Sequence, residues 1–173
     1  MATSLYDLTV GSYSQILEAA LSFMEKGKSH CEENGIALSE IVDTSLHETM
    51  MSFHFQVVSF NHHSSKTVEA LSSGEFLPPV GYEPRDYDGL LDMTRASAQM
   101  MAAQNPDTIN TMAGNPIVFK LGPNEMPFTA ENFVMSFSLP NFYFHATTAY
   151  DILRLKGVPV GKMDFLGKLK MGS

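Results

Sequence analysis

The sequence contains no tryptophan and a single cysteine, Cys31, among its 173 residues. One cysteine excludes a disulfide within the chain and is typical of a reducing compartment, so we expect a cytoplasmic protein. Basic runs are also missing, because 11 Lys and Arg stand against 19 Asp and Glu and the net charge is −8. Nucleic acids and anionic membranes attract clustered Lys and Arg, so the sequence predicts neither as a partner.

Long apolar runs are absent as well. None reaches the ~18–20 residues that are needed to cross a bilayer. The first residues carry no basic segment ahead of an apolar one, which predicts that there is no signal peptide. With 44% hydrophobic and 17% charged residues, a chain of this length can bury one sizeable core. We therefore expect a single domain over residues 1–173.

Methionine and phenylalanine, at twelve residues each, are unusually frequent. Methionine is unbranched and fills irregular space, so this composition suits a loosely specified core. The same composition suits an adaptable apolar pocket. Both interpretations are open at this point.

Four segments repeat apolar residues at steps of three and four, the spacing of amphipathic helices. Ser45 and Glu48 match a capping box at the start of the second segment, and Asp86 can cap the third. Gly35 and Gly74 supply stops for the first two, because glycine adopts the left-handed conformation at a helix end. The predicted helices span residues 5–34, 45–73, 87–104 and 129–156.

The region between the third and fourth helices has a different pattern. Residues 116–121 are short, apolar and rich in β-branched side chains, and residues 126–128 can return beside them after a Gly-Pro turn, which predicts a small β-hairpin. Pro140 lies inside the last helix and predicts a kink there. The fold class expected from these elements is all-α: a four-helix bundle with a β-hairpin insertion before the last long helix.

His145 is the only histidine in the C-terminal half of the chain. Three aromatic residues precede it, so we expect the ring to be at least partly buried. Histidine suits acid/base chemistry because its unperturbed pKa is close to neutrality. We take His145 as the principal catalytic candidate, with a core histidine that makes one hydrogen bond as the structural alternative.

Two histidines of the second helix are candidates for a second catalytic group. His47 and His54 lie seven residues apart and so stack along one side of a helix. We expect that row to face His145 across the bundle. His62 and His63 stand among Asn and Ser, and we interpret them as solvated.

The candidate substrate-binding residues share the helix faces that carry these histidines. Asn141 and Thr148 lie about one turn on either side of His145, and Tyr150 follows. Asn141 or Tyr150 would orient the substrate. The full set is Met50, Phe137, Asn141, Thr148 and Tyr150.

The sequence predicts no resident cofactor or metal. No Glu-x-x-His pair occurs, and the residue four after His145 is Ala149, which has no donor atom. A divalent metal held by His47, His54 and His145 is the one alternative that the spacing leaves open.

A family resemblance spans essentially the whole chain and is clearest in its C-terminal part. The stretches are LPNFYFHATTAYDILR (139–154), GVPVGK (157–162) and DFLG (164–167), with SLYD (4–7) and FT (128–129) adding to them. They closely resemble the signature of the domain-of-unknown-function family DUF1993, a branch of the DinB/YfiT-like superfamily. In this signature the matching positions include Asn141, His145, Tyr150, Asp151 and Arg154.

The resemblance implies an up-down-down-up bundle that is often a dimer. It also implies that some superfamily members bind a divalent metal through three histidines and transfer thiol cofactors. One of those histidines lies on the second helix and two, spaced by four residues, lie on the fourth. Here only His145 matches the pair on the fourth helix, because Ala149 stands at the second position.

Our leading hypothesis is a cofactor-independent small-molecule enzyme of the isomerase, cyclase or lyase type that acts on an apolar substrate, for example in secondary metabolism. Such chemistry needs only positioned groups and a dry cavity. One alternative is a non-catalytic ligand-binding or dimerising bundle, and another is a divalent-metal-dependent DinB-type transferase. An apolar small molecule and a second copy of the chain are the expected partners.

Overall fold

Four long helices form the centre of the protein in the computed structural model, which describes residues 3–171. The predicted fold class, a helical bundle with a small β insertion before the last long helix, is confirmed. The long helices are α1 (Ser12–Asn34), α3 (Phe53–Ser73), α4 (Tyr87–Ala102) and α7 (Leu139–Leu155). The short helices are α2 (Leu38–Asp43), α5 (Pro106–Asn110), α6 (Ala130–Phe133) and α8 (Lys162–Leu166), and the segments Asp7–Gly11 and Val134–Ser138 are π-helical.

The contacts between the long helices fix their directions. Helices α1 and α7 run parallel, α3 and α4 run parallel, and α7 runs antiparallel to α3. The topology is therefore up-down-down-up, as the family resemblance implied. The contacts that establish it are Tyr13–Phe142 and Gly27–Leu153 for α1 and α7, Phe53–Tyr87 and Asn61–Thr94 for α3 and α4, and Gln56–His145 and Thr67–Ser138 for α3 and α7.

The second long helix begins at Phe53, eight residues later than the predicted start at Ser45. The side chain of His47 bonds Thr49 through its Nδ1 atom, at 2.9 Å from the hydroxyl and 3.2 Å from the backbone N–H. Such local bonds compete with helix formation and here support a turn. His47 therefore lies in a loop, and not on the helix where the sequence pattern placed it.

The C-terminal helix is irregular in the region where a kink was predicted. The π-helical segment Val134–Ser138 precedes α7, and Pro140 occupies the second position of α7. Ser138 and Leu139 are also helical, so Pro140 does not stand at a free helix start, and the wider π-helical turn before it accommodates the residue that has no N–H to donate. The irregularity thus lies just before the proline.

A three-stranded sheet covers one end of the bundle. The predicted hairpin is present as β2 (Pro116–Leu121) and β3 (Asn124–Thr129), which pair antiparallel. A third strand that the sequence analysis missed, β1 (Glu75–Phe76), pairs parallel with β2. No helix within residues 3–171 is long and apolar enough to cross a membrane.

Candidate functional site between α3 and α7

His145 lies half-buried on α7 and faces α3. Its Nδ1 atom is 2.7 Å from Oε1 of Gln56, whose Nε2 donates to the Met51 carbonyl at 2.8 Å. Because the amide nitrogen of Gln56 is bound to Met51, the amide oxygen is the acceptor and Nδ1 of His145 carries the proton. The neutral ring therefore has an unprotonated Nε2 with a free lone pair.

Burial sets the charge of this ring. Loss of hydration lowers the pKa of His145 to about 4, because an imidazolium is poorly stabilised away from water. At neutral pH the ring is uncharged and Nε2 can accept a proton or a hydrogen bond. The carbonyl dipole of Gln56 points at Nδ1–H and would stabilise the positive charge that such a transfer creates.

Three aromatic rings surround the His145 ring. Phe55 and Phe144 meet it edge-on, at centroid separations of 5.9 Å and 5.2 Å. The ring of His63 lies 6.1 Å away at an angle of 17°. Phe144 is 56% exposed, so the side of His145 that faces away from the core opens on an apolar surface.

His63 is buried, at 4% exposure, and its Nδ1 has no hydrogen-bond partner within residues 3–171. Burial, with smaller contributions from His62 and His145, lowers the pKa of His63 to about 3. The ring is neutral at physiological pH. It stacks on Phe76 at 5.4 Å as well as on His145, so it joins the sheet to the candidate site.

The interpretation of His62 and His63 as solvated residues is wrong, because both side chains are buried. His62 bonds the Tyr82 hydroxyl and the Leu77 carbonyl, and His63 packs against Phe76 and Phe137. The loop after β1 covers His62, and β1 and the π-helical segment cover His63. The residues next to His62 and His63 in the sequence do not indicate that these segments bury them.

The structure brings neither of the two other catalytic candidates to His145. His54 lies two positions before Gln56, which places the two side chains about 200° apart on a helix. Its Nε2 accepts from the backbone N–H of Arg85 at 3.1 Å. His47 is exposed in the loop before α3. The expectation that these histidines face His145 is therefore corrected, and Gln56 occupies the place assigned to them.

Two of the substrate-binding candidates precede His145 on the same helical stretch, Asn141 by about one turn and Phe137 by about two. Phe137 contacts His63 at a centroid distance of 5.7 Å. Asn141 donates its Nδ2 to the Phe137 carbonyl at 2.7 Å, which leaves Oδ1 as an acceptor one turn before His145. Met50 is half-buried in the loop that leads into α3.

The other two substrate-binding candidates, Thr148 and Tyr150, make contacts that hold the fold together. Thr148 is buried, and its hydroxyl donates to the carbonyl of Phe144 at 2.8 Å. Tyr150 packs its ring against Phe23 and Phe165, away from His145. These contacts indicate that Tyr150 holds the C-terminal segment against the bundle.

The same segment explains much of the family signature. Arg154 donates to the carbonyl of Val160 at 2.6 Å, and Tyr150 approaches that carbonyl at 3.5 Å. Asp164 accepts from the backbone N–H of Gly161 at 2.7 Å. These bonds hold the turn between α7 and α8, so these signature positions have a structural role.

The sequence analysis missed Phe55, Gln56 and His63 as members of the site. A signal was present for two of them. Gln56 and His63 are seven residues apart, so they lie on one side of α3, two turns from each other. His47 and His54 have the same spacing of seven residues. Because both are histidines, that pair was the stronger catalytic candidate in the sequence.

A cleft of about 710 Å3 lies elsewhere, between α3 and the loop that follows β1. It contains none of the residues predicted for the site. The rings of His63 and Phe76 separate it from His145, since His63 stacks on both. The residues that form its walls include His62, Lys66, Phe76, Leu77, Val80 and Tyr82.

The donors present do not fit the three-histidine metal site of the DinB superfamily. Ala149 is buried and supplies no ligand atom at the position of the second histidine of the fourth helix. Within residues 3–171, no group of three or more His, Cys, Asp or Glu residues is arranged to hold a metal ion. No step of the chemistry below is assigned to a metal.

Comparisons with known proteins support the family resemblance. The family model described as "Domain of unknown function (DUF1993)" matches residues 5–166. A crystal structure of a DinB family member protein from Shewanella denitrificans superposes with a TM-score of 0.78 at 23% identity, over 98% of this chain and 95% of the other. No curated protein matches the sequence significantly. This chain therefore belongs to the DUF1993 family and has a DinB-like fold.

Proposed function

We propose that this protein is a small-molecule enzyme that needs no resident cofactor, and that His145 transfers a proton to and from an apolar substrate. The observation that supports this proposal is the hydrogen bond between His145 and Gln56, which leaves Nε2 unprotonated. A neutral imidazole can act as a general base because it accepts a proton without first losing one, and the low pKa that burial gives His145 favours substrates whose proton is acidic.

The substrate would lie across the apolar face beside His145, in contact with Phe55 and Phe144. In an isomerisation, a proton leaves a carbon or hydroxyl of the substrate for Nε2 and returns at another atom. No atom is gained or lost, and no oxidant is required. The free Oδ1 of Asn141 would accept a hydrogen bond from the substrate and fix its orientation. Cyclisation or dehydration can use the same two groups.

Deuterium exchange tests the proposal without knowledge of the natural substrate. The probe is 2-tetralone, an apolar aromatic ketone with acidic C–H bonds, in D2O at neutral pD. We expect the exchange rate with the protein to exceed the rate in buffer alone. In the His145→Ala variant this acceleration should be at least tenfold smaller. His54→Ala is the matched control and should keep the wild-type rate, because His54 faces the Arg85 backbone. Wild-type rates in a folded His145→Ala variant would overturn the assignment.

A non-catalytic dimerising bundle is the second candidate, and one observation favours it. The region around His145 exposes large apolar side chains, with Met51 at 57% and Phe144 at 56% exposure. A second copy of the chain would bury this surface. Analytical ultracentrifugation of the wild type and Phe144→Glu is the test. This candidate is supported if the wild type is a dimer and Phe144→Glu is a monomer. It is excluded if the wild type is a monomer.

A further inference from the structure

The cleft beside α3 contains a directed hydrogen-bond chain that the proposed function does not use. Nδ1 of His62 lies 2.9 Å from the Tyr82 hydroxyl, and Nε2 lies 2.7 Å from the Leu77 carbonyl. A carbonyl can only accept, so Nε2 of His62 carries the proton and Nδ1 does not. The hydroxyl of Tyr82 must then donate to Nδ1.

This direction determines what the Tyr82 oxygen can bind. Its one proton is bound to His62, so the oxygen can offer only a lone pair to a further partner. A ligand that contacts it must supply a donor, such as a hydroxyl or N–H. A molecule with only carbonyl or ether oxygens in that place would leave the Tyr82 oxygen unpaired.

The walls of the cleft specify the rest of the ligand. Phe76 is buried at the base, while Leu77 and Val80 are 51% and 74% exposed along one side. The charged residues at the rim are neutralised in pairs, Lys66 with Glu69 and Glu75 with Lys120. Apolar walls and a neutral rim suit an uncharged molecule, and a volume of about 710 Å3 lies within the range of small-molecule sites.

We propose that the cleft between α3 and the β1–α4 loop is a second small-molecule site, which binds an uncharged apolar ligand through a hydroxyl or N–H donor to the oxygen of Tyr82. The site is separate from the face at His145. Its ligand could be an effector or a second reactant of the same chemistry; the donor requirement is the same in both cases.

A matched pair of probes tests this proposal by binding alone, so the result is independent of any activity at His145. The probes are 2-naphthol, which has a donor, and 2-methoxynaphthalene, which has the same rings without one. We expect 2-naphthol to bind the wild type about five to ten times more tightly, because one hydrogen bond distinguishes them. Backbone NMR shifts should change at Phe76, Gly81 and Tyr82.

Tyr82→Phe removes the acceptor and keeps the ring, so the two probes should bind this variant within twofold of each other. Tyr6→Phe, which changes a tyrosine that lines a different cleft, is the control and should keep the wild-type preference. The proposal is overturned if neither probe binds at millimolar concentration, if the wild type binds both equally, if the preference persists in Tyr82→Phe, or if the shift changes lie around His145 instead.

Discussion

The ring of His145 is held against Gln56 by a bond of 2.7 Å, and the two residues are 89 positions apart in the sequence. The buried amide of Gln56 is itself fixed by the Met51 carbonyl. The tautomer of His145 therefore depends on a loop that precedes α3. This arrangement is typical of catalytic histidines, whose reactive nitrogen is set by what the other nitrogen bonds.

Gln56→Leu should remove the preference of His145 for the tautomer that carries its proton on Nδ1. Leucine has a similar volume but cannot accept from Nδ1, so the ring proton would distribute between both nitrogens. We also expect a loss of about 1–2 kcal/mol in the free energy of unfolding, since one partly buried donor loses its partner. The tautomer is measured by 15N NMR of labelled histidine, and the stability by urea unfolding.

Gln99→Leu, at an exposed position of α4, controls for the general effect of the substitution. It should change neither the tautomer nor the stability by more than a few tenths of a kcal/mol. If Gln56→Leu leaves the His145 tautomer unchanged, the amide does not set it.

His63 makes stability depend on pH. Its pKa falls from 6.5 to about 3 on folding, so between these values the unfolded state binds a proton that the folded state excludes. Stability is therefore complete above pH 6.5 and is lost as the pH falls towards 3. Replacing His63 by Phe removes this loss, because phenylalanine does not titrate and suits the aromatic surroundings.

The free energy of unfolding of His63→Phe, relative to wild type, should rise by about 2 kcal/mol between pH 7.5 and pH 5. Urea unfolding at both pH values measures it. His47→Phe changes an exposed histidine and should leave the wild-type pH dependence intact. An identical pH slope in His63→Phe and the wild type would show that His63 is not buried as a neutral ring.

Arg154 should matter for stability and not for proton transfer. Its bond to the Val160 carbonyl fixes the turn after α7, and Arg154→Met should cost about 0.5–1.5 kcal/mol, the usual net range for one hydrogen bond, because Arg154 is itself exposed. Exchange of 2-tetralone protons, normalised to folded protein, should be unchanged.

Arg95→Met is the matched control, because the ion pairs of Arg95 with Asp92 and Glu25 are exposed and contribute about 0–1 kcal/mol. Thermal and urea unfolding compare the two variants. Equal stability of Arg154→Met and Arg95→Met would contradict the anchoring role of Arg154.

The periodicity of the chain was sufficient to predict the long helices and the hairpin. Gly35 and Gly74 end α1 and α3 in the left-handed conformation, as expected from their positions, and Asp86 caps α4 by accepting from Gly89. These signals are local, since each depends on residues within one turn. A local signal gave a wrong helix start at Ser45. Its capping-box pattern predicts a helix there, but the structure has a turn that the side chain of His47 stabilises.

The sequence by itself determined the bundle and the family and made His145 a candidate, because these depend on repeated spacing and on a long signature. Only the tertiary structure decided which residues surround that histidine. A shift of two positions along α3 exchanges His54 for Gln56, and the packing of α3 against α7 sets which of them faces inward. The burial of His62 and His63 likewise depends on the sheet and on the β1–α4 loop, whose placement follows from the whole fold and not from neighbouring residues.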